Sequence, residues 1–369
     1  MDCKDLDIVP LKHWAGSGDY LVMAGPCSAE SREQILETAT QLAHDGRVSI
    51  FRAGIWKPRT RPGAFEGMGD AALEWMAEVK SLTGLLTAVE VGTPEHVEAA
   101  LKHGIDVVWI GARTTVNPFI VKEIAEALRG TEIAVMIKNP VNPDPNLWIG
   151  AIERVYQVGI RRLAGIHRGF YFFKKSPWRN APMWEIPIEL KRICPRIPII
   201  TDPSHISGKP ELIPGIAQKS LDLEMDGLMI EVHPDPVNAL TDSAQQITPA
   251  VLSEILNSLK LRSRQPSSFD DTLERLRLEI DKLDQELLEI LARRMNIIDE
   301  IGLYKKEKSI TILQLKRWRQ MLSERIETGT SLGLEEDFLT QILQLVHEES
   351  IRRQQLIMDN GRSNQTLKG

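Results

Sequence analysis

Residues 197–205 read IPIITDPSH and residues 227–236 read GLMIEVHPDP, and these two segments indicate the fold. Each begins as a short run of β-branched and apolar residues and ends in charged or metal-binding side chains. Similar runs occur earlier in the chain, separated by stretches with helical spacing at residues 71–82, 94–102 and 118–128. Alternation of strand and helix is typical of parallel βαβ units.

The number of these runs predicts a closed barrel. About eight helices separate them, and eight strands with eight helices in ~250 residues make a (β/α)8 barrel. Because strand number alone does not establish closure, a doubly wound open α/β sheet is the alternative. The predicted strands are LVMAGP, VSIFRAG, LLTAVEV, VVWIGA, IAVMIKN, RLAGIHR, IPIITDPSH and GLMIEV.

Proline marks the end of the α/β region. All 21 prolines lie at or before Pro266, so the later sequence is free to form long helices, in which an interior proline costs ~3 kcal/mol. We therefore predict four segments: a barrel domain over residues 1–262, a linker over 263–270, a helical domain over 271–360 and a disordered tail over 361–369.

The helical domain begins with an unusually long apolar pattern. From a predicted start at Asp271, apolar residues recur at a 3–4 spacing to Ile301, and two shorter helices follow at residues 313–328 and 335–358. Two short helices cannot cover so long a stripe, so we predict a three-helix domain that forms a homodimer.

Composition and charge exclude several classes of protein. A net charge of −6 argues against a generic nucleic-acid binder, and no apolar stretch reaches the ~20 residues that span a bilayer. The N-terminus has no secretory signal pattern. Cys3, Cys27 and Cys194 form no CxxC pair, which argues against a disulfide framework and for a reducing compartment. We expect a cytoplasmic protein without nucleic-acid or membrane partners.

Positively charged side chains recur where the predicted strands end. In a barrel the carboxyl ends of all strands meet on one face, so these side chains should line one cleft. Arginine forks match phosphate and carboxylate bidentately, and six cations are enough for two anionic groups. In a protein of negative net charge this positive field would be local. The six are Arg52, Lys57, Arg59, Arg113, Lys138 and Arg168.

A second set of side chains suits a metal ion. Cys27 follows the first strand, His205 the seventh, and Glu231 and Asp242 the eighth, and these strands are neighbours once a barrel closes. One thiolate, one imidazole and two carboxylates suit a borderline divalent metal: manganese, iron, cobalt or zinc. The alternative for Cys27 is a small buried apolar residue, which is the usual role of a free cysteine.

The flanking residues of these positions resemble a known family. Over roughly residues 20–262 the chain resembles 3-deoxy-D-arabino-heptulosonate 7-phosphate (DAHP) synthase of the short-barrel, type I-beta subtype, and KPRT (57–60) separates it from the sister family that makes an eight-carbon sugar phosphate. The motifs are GPCSAE (25–30), RAGIWKPRT (52–60), IGAR (110–113), HRGF (167–170), DPSH (202–205) and IEVHPDP (230–236).

The resemblance implies condensation of phosphoenolpyruvate with erythrose 4-phosphate, releasing phosphate. It assigns the metal, with Mn²⁺ as the first choice, to the four residues named above. The phosphate of erythrose 4-phosphate would lie by Arg59 and Thr60, and Asp202 also belongs to the substrate site. Lys57, Glu90 and His205 are the catalytic candidates. Phosphoenolpyruvate would contact Arg52, Lys57, Arg113, Lys138 and Arg168.

Residues 272–358 resemble an all-helical chorismate mutase, an isomerase that needs no cofactor. The resemblance assigns cations and an amide donor to the carboxylates and ether oxygen of chorismate. Arg277 is seventeen residues, or ~25 Å of helix, from Arg294, so a partner helix must supply Arg277. The implied site residues are Arg277, Arg294, Lys305, Gln314, Arg317, Ser350 and Gln354.

Two positions depart from the mutase pattern. Gln314 and Trp318 stand where the family commonly has an Asp and a Glu that hold the chorismate hydroxyl, and tryptophan offers only an N–H donor. The alternative is therefore a helical tail that is a weakly catalytic regulatory or dimerisation module binding chorismate or prephenate. Feedback from the tail's ligand on the barrel is a further hypothesis, with prephenate suspected.

Overall fold

The computed structural model describes residues 3–16, 18–59, 63–173, 176–262 and 271–359. The chain divides into two compact units, a barrel unit (Met1–Arg264) and a helical unit (Gln265–Gly369). The segments 263–270 and 361–369, predicted as linker and disordered tail, lie outside the described residues.

Eight parallel strands of the barrel unit pair in chain order and close on themselves. Closure is made by β1 and β8, in which Leu21 lies opposite Gly227 and Gly25 opposite Glu231. This pairing confirms the predicted barrel and excludes the open sheet. The strands are β1 (Leu21–Gly25), β2 (Ile50–Ala53), β3 (Leu86–Val91), β4 (Val107–Ile110), β5 (Ala134–Lys138), β6 (Leu163–His167), β7 (Ile199–Thr201) and β8 (Gly227–Glu231).

Helices connect the strands, and several have clear start signals. Thr93 and Asn117 accept backbone N–H bonds through their side chains at two helix starts, and Pro94 and Pro118 occupy the first helical position, where a missing N–H costs nothing. The helices are α1 (Arg32–Asp45), α2 (Ala71–Thr83), α3 (Pro94–Lys102), α4 (Ala112–Thr115), α5 (Pro118–Ala127), α6 (Pro145–Gln157), α7 (Glu185–Ile193), α8 (Pro203–Ser207), α9 (Ile213–Asp222) and α10 (Pro249–Ser258).

The barrel core has two layers. Inward-facing side chains, among them Met23, Ile50, Trp109 and Met229, fill the interior of the barrel. A larger set packs between the outer faces of the strands and the surrounding helices. Because the interior is filled, polar groups can gather only at the ends of the strands.

A disulfide joins the N-terminal segment to the end of α7, and the expectation from cysteine spacing was wrong. Cys3 and Cys194 are both buried and bonded to each other, with 5.0 Å between their Cα atoms. They lie 191 residues apart, so only the tertiary fold brings them together. The cysteine count therefore no longer supports a reducing compartment. Cys27 is the free thiol.

The helical unit has three helices: α11 (Asp271–Glu307), α12 (Leu315–Ser331) and α13 (Glu336–Asp359). Helix α11 runs through Gly302 without a break, and α13 packs closely there: a Cβ on Gly302 would lie 2.9 Å from Ile357 Cδ1. Within the described parts of the chain, no helix has both the length and the apolar character to span a membrane.

The N-terminal half of α11 keeps its apolar stripe exposed. Leu276, Ile280, Leu283 and Leu287 retain between 45% and 59% of their accessible surface. No described side chain of the helical unit buries this stripe. The dimer that the sequence predicts would cover it, and the dimer remains a prediction.

Barrel closure can be tested at Gly227. A Cβ there would lie 2.7 Å from both Cβ and O of Leu21 and 2.9 Å from Ile200 Cδ1, so Gly227→Val should force β8 away from its neighbours. We expect a loss of ~1–3 kcal/mol in the free energy of unfolding. Gly215→Ala is the control, because a Cβ on this α9 residue meets nothing within 4 Å. Urea unfolding followed by tryptophan fluorescence measures both; equal midpoints would contradict the prediction.

Candidate active sites

Three of the four predicted metal ligands meet at the carboxyl ends of β1 and β8. Cys27 follows β1 by two residues, Glu231 is the last residue of β8, and Asp242 lies in the loop beyond. One ligand atom from each of the three lies within 4.8 Å of those of the other two. The register that places Gly25 opposite Glu231 accounts for this convergence. Asp242 adopts the left-handed conformation, with φ +45°, and its Oδ2 is 3.2 Å from Cys27 Sγ.

His205, the fourth predicted ligand, stands beside this cluster. It lies in the short helix α8 rather than at the strand end. Asp202 caps that helix by accepting the His205 backbone N–H, and Asp202 Oδ2 is 2.8 Å from His205 Nδ1. The other ring nitrogen, Nε2, is 3.8 Å from Glu231 Oε1. Asp202 therefore orients the imidazole with its second nitrogen towards the cluster.

The charges of the cluster suit a cation. Burial raises the pKa of the Cys27 thiol, and the Glu231 carboxylate adds to this rise. Burial also disfavours ionisation of Glu231, but the charges of His205, Arg52 and Lys57 outweigh it and lower the pKa of Glu231 to about 2. A thiol in this environment becomes a thiolate when a metal binds it. The donor set therefore fits a borderline divalent metal.

Predicted cations surround a cavity of about 580 Å³ next to this cluster. Glu90, His205 and Asp242 also line this cavity. In a low-dielectric cleft, grouped cations attract an anion strongly. The cationic residues on its wall are Lys57, Arg59, Arg113, Lys138, Arg168 and Arg179.

Arg168 shows how crowded these charges are. Burial is the main cause that lowers the pKa of its guanidinium to about 10; Asp202 counteracts it, and Arg179 and Arg113 reinforce it. Arg168 Nη1 donates to Asn180 Oδ1 at 2.8 Å. The guanidinium is thus fixed in place, and an anionic substrate group would stabilise its charge.

Arg52 and Lys57 lie deeper, towards the metal cluster. Arg52 lies within β2, not after it as predicted, and is only 2% exposed. Its Nη1 is 3.2 Å from Glu231 Oε1. Lys57 donates from Nζ to the backbone oxygen of Cys27 at 3.1 Å and also contacts its Sγ. Both cations therefore contact predicted metal ligands, and Lys57 also lines the cavity.

Lys138 and Glu90 also line the cavity. Lys138 Nζ is 3.0 Å from Asp202 Oδ2. Glu90 Oε2 accepts the indole N–H of Trp109 at 3.1 Å. Thr60, the remaining predicted barrel-site residue, lies outside the described residues.

Sequence reasoning missed two residues of this site. Arg179 lines the cavity, and its Nη1 is 3.3 Å from Asp242 Oδ1. Arg179 lies in the long loop that follows β6, so its charge is the only sequence feature that could have marked it as a site residue. Trp109 is fully buried in the all-apolar strand β4, and the Arg52 guanidinium lies 5.0 Å from its ring centroid, a cation–π distance. A continuous apolar run gives no signal of which residue faces the site.

The helical unit brings together residues from α11 and α13. Arg294 Nη1 donates to Ser350 Oγ at 2.7 Å, and Gln354 Nε2 donates to the Ser350 backbone oxygen at 3.2 Å. Lys305 Nζ donates to the backbone oxygen of Ile312, in the loop before α12, at 2.6 Å. Arg294, Ser350 and Gln354 thus form one constellation, with Lys305 further along α11.

Other predicted residues of the helical site stand apart. Arg277 is exposed near the start of α11, where its Nη1 is 3.7 Å from Glu274 Oε2, and the unbroken helix separates it from Arg294 by ~25 Å. Gln314 and Arg317 are exposed at the start of α12. Trp318 stacks on His347 of α13, with 3.7 Å between ring centroids.

Comparisons with known proteins agree with this division. Residues 7–265 match the family model described as "DAHP synthetase I family", and residues 276–355 match "Chorismate mutase type II". The phospho-2-dehydro-3-deoxyheptonate aldolase of Thermotoga maritima is 28% identical over 245 residues, covering 66% of this chain and 70% of that protein. The 2-dehydro-3-deoxyphosphooctonate aldolase of Caulobacter vibrioides is 27% identical over 252 residues, covering 63% and 84%.

Solved structures give the same result. The crystal structure of the Thermotoga maritima DAHP synthase has a TM-score of 0.60 at 28% identity, covering 66% of this chain and 69% of that one. The first family model spans most of the chain, and its match coincides with the closed barrel and its strand-end residues. The chain therefore belongs to the DAHP synthetase I family, and it joins that transferase barrel to a chorismate mutase type II domain, which belongs to the isomerases.

Proposed function

We propose that the barrel condenses phosphoenolpyruvate with erythrose 4-phosphate, forming DAHP and inorganic phosphate. The observation that carries this proposal is one cavity of about 580 Å³ with six cations on its wall and a thiol–carboxylate cluster at its edge. Both substrates carry a phosphate, and one carries a carboxylate as well. The cavity provides cations for these groups and a metal site for the aldehyde.

The positions of the cations suggest how the substrates divide them. Arg113, Lys138 and Arg168 would bind the phosphate of phosphoenolpyruvate, while Arg52 and Lys57, which lie nearer the metal ligands, would bind its carboxylate. Arg59 remains for the phosphate of the sugar. Two anionic substrates held this way have their reacting carbons close together, which lowers the entropic part of the barrier.

The metal site would hold a divalent ion through Cys27, Glu231 and Asp242, with His205 turned towards it. Such an ion supplies Lewis-acid polarisation of a carbonyl oxygen. Lys57 and Glu90 are the candidates for proton transfer, because both line the cavity and Lys57 also contacts Cys27. Trp109 holds the Glu90 carboxylate through its indole N–H.

The eight-carbon sister reaction is the closest alternative for the barrel, since the Caulobacter relative is a 2-dehydro-3-deoxyphosphooctonate aldolase. The family match and the KPRT motif support the seven-carbon product. Arg59 of that motif lines the cavity, where it can select the phosphate position of the shorter sugar.

For the helical unit we propose the rearrangement of chorismate to prephenate. Arg294 and Lys305 would bind carboxylate and ether oxygens, Gln354 would donate to the ether oxygen, and Ser350 positions Arg294. The pKa of Arg294 is lowered by burial and by the charge of Arg325, so this cation is stabilised by an anionic ligand. Stabilisation of developing charge by fixed donors needs neither cofactor nor covalent step.

We further propose that the helical unit acts as a homodimer. The Arg277 side chain is ~25 Å from Arg294 along one helix, and it lies beside the exposed apolar stripe of α11. A second copy of the helical unit that covered the stripe would place its own Arg277 beside α11 of the first copy. In an isologous dimer each site then takes Arg277 from the other chain.

A regulatory module is the second candidate for the helical unit. The observation in its favour is that Gln314 is exposed and Trp318 is stacked on His347, so neither offers a carboxylate to the ligand. In this reading the tail binds chorismate or prephenate without efficient turnover.

Removal of one metal ligand should abolish synthase activity. Cys27→Ala and Asp242→Asn should each lose bound metal and lower synthase kcat/KM beyond the ~10–100-fold that loss of an outer-shell partner costs. Asp235→Asn is the control, because this exposed carboxylate lies in the same loop and is not a member of the cluster. Metal content by mass spectrometry and synthase rate measure the effect; full activity in metal-free Cys27→Ala would remove the cluster from the mechanism.

Arg294→Ala separates the mutase from the regulatory module. If the unit is a mutase, this change should lower kcat for chorismate ~10²–10³-fold, the usual cost of removing one donor to developing charge. Arg293→Ala, the exposed neighbour on the same helix, should leave the rate unchanged. Chorismate turnover in wild type no higher than in Arg294→Ala would favour the binding module.

Mixed dimers test the shared site. In a heterodimer of an Arg277→Ala chain and an Arg294→Ala chain, one site carries both changes and the other is intact. Co-expression with two affinity tags isolates this heterodimer, which should recover about half of wild-type mutase activity although each homodimer is inactive. A heterodimer as inactive as the two parents would show that Arg277 acts within its own chain, and an active Arg277→Ala homodimer would show that it has no role in turnover.

A further inference from the structure

The pair formed by Trp318 and His347 is a feature of the helical unit that the proposed chemistry does not use. The two rings are nearly parallel, at 8°, with 3.7 Å between centroids. Trp318 belongs to α12 and His347 to α13, so the stack fixes the imidazole from a neighbouring helix. A stacked imidazole has few alternative orientations, and its nitrogens therefore point in fixed directions.

His347 lies on the face of α13 that carries the predicted mutase residues. Ser350 and Gln354 follow it by three and seven residues, which places all three within ~60° around the helix. Its Nε2 is buried and has no hydrogen-bond partner among the described residues. A buried polar atom without a partner is costly, and a ligand that supplies the partner removes this cost.

The surroundings keep this imidazole neutral. Burial is the largest cause that lowers the pKa of His347, and the charges of Arg294 and Lys305 on α11 lower it further, whereas Glu348 on α13 acts in the opposite direction. From α12 the ring meets the Trp318 indole, which does not titrate. At neutral pH the ring therefore has one N–H donor and one acceptor nitrogen.

The charged residues of the site provide no acceptor, and Gln354 Oε1 is a second buried acceptor without a partner among the described residues. Arg294 and Lys305 only donate, and the indole of Trp318 is also only a donor. The Ser350 hydroxyl is engaged with Arg294 and with the Val346 backbone oxygen. The proposed function assigns Gln354 to the ether oxygen. A hydroxyl group on the ligand would still need a partner for its proton.

We propose that His347, held in place by Trp318, binds the hydroxyl group of the ligand through Nε2 and so selects a hydroxylated dicarboxylate. This inference deepens the proposed mutase function and rests on it. His347 would contact the ligand, and Trp318 would be a positioning residue. The pair would then recognise the hydroxyl group through a neutral nitrogen acceptor instead of a carboxylate.

The contact between His347 and the hydroxyl group can be tested by changing the protein and the ligand separately and together. Chorismate and its analogue with that hydroxyl replaced by hydrogen are measured against wild type, His347→Phe and His347→Gln, for turnover and for affinity by calorimetry. His347→Phe keeps a ring for Trp318 and should lose roughly ten-fold towards chorismate, the size expected of one hydrogen bond, but little towards the analogue. His347→Gln offers an acceptor at a similar reach and should recover most of the loss.

The pH dependence adds a second readout. Protonation of His347 removes the acceptor for the hydroxyl proton, so the wild-type preference for chorismate over the analogue should fall as the pH drops below about 6.5, the ordinary histidine pKa, because the pKa of this group is lowered. This acid limb should be absent from His347→Gln. Trp318→Phe, which keeps the stack, should retain the discrimination against the analogue, and Trp318→Ala should reduce it.

Two results would overturn the inference in distinguishable ways. Equal losses towards chorismate and analogue in His347→Phe, with chorismate still bound by wild type, would show that His347 does not touch the hydroxyl while leaving the proposed function intact. Failure of wild type both to bind and to turn over chorismate would overturn the proposed function, and this inference with it. Because affinity is measured beside turnover, a binding module without catalysis is tested equally well.

Discussion

The hydrogen-bonded pairing of β1 with β8 is the contact on which the barrel site depends. It closes the sheet and places Gly25 opposite Glu231, so the residues that follow the first strand meet those that end the last one. Cys27 and Asp242 come from opposite ends of the barrel sequence and reach one cluster for this reason. An open sheet with the same strands would leave the thiol and the carboxylates on opposite edges. Closure is thus a condition of the chemistry as well as of the fold.

When the carboxyl ends of the strands meet, many positively charged side chains lie close together and repel one another. Buried carboxylates offset this repulsion. Glu231 pairs with Arg52, and Asp202 pairs with Lys138 and His205. Each acid stabilises the ionised form of its neighbours, and the buried Trp109 indole adds a cation–π contact to Arg52. Arg168 and Arg113 line the cavity, where the proposed anionic substrates would meet them. These buried carboxylates therefore stabilise the positively charged side chains next to them.

The sequence was enough to predict the strands and helices and many of the side chains that line the cavity, since both follow local rules. Proline at the first position of α3 and α5 and period-3.6 patterns marked the helices, and chemically distinctive residues after the strands marked the cavity. What it could not supply depends on tertiary contacts. The bond between Cys3 and Cys194 needs the folded chain to join segments 191 residues apart. Trp109 lies in a strand that is apolar throughout, so its direction depends on the barrel's closure and not on any pattern.

In the helical unit, too, the sequence does not supply the tertiary contacts, and here the missing contacts would come from a second chain. A long amphipathic helix is stable only when its apolar face is covered, yet within the described residues the N-terminal half of α11 keeps this face exposed. Arg277 lies on that same half, directly after Leu276, and is ~25 Å along the helix from Arg294, which contacts Ser350 of α13. Burying the stripe on a second copy would stabilise the helix and move the missing cation into place in a single event. In the proposed dimer, the stability of the helix and the assembly of the site would be one equilibrium, so a loss of dimer contacts would lower the proposed mutase activity without altering a residue of the site.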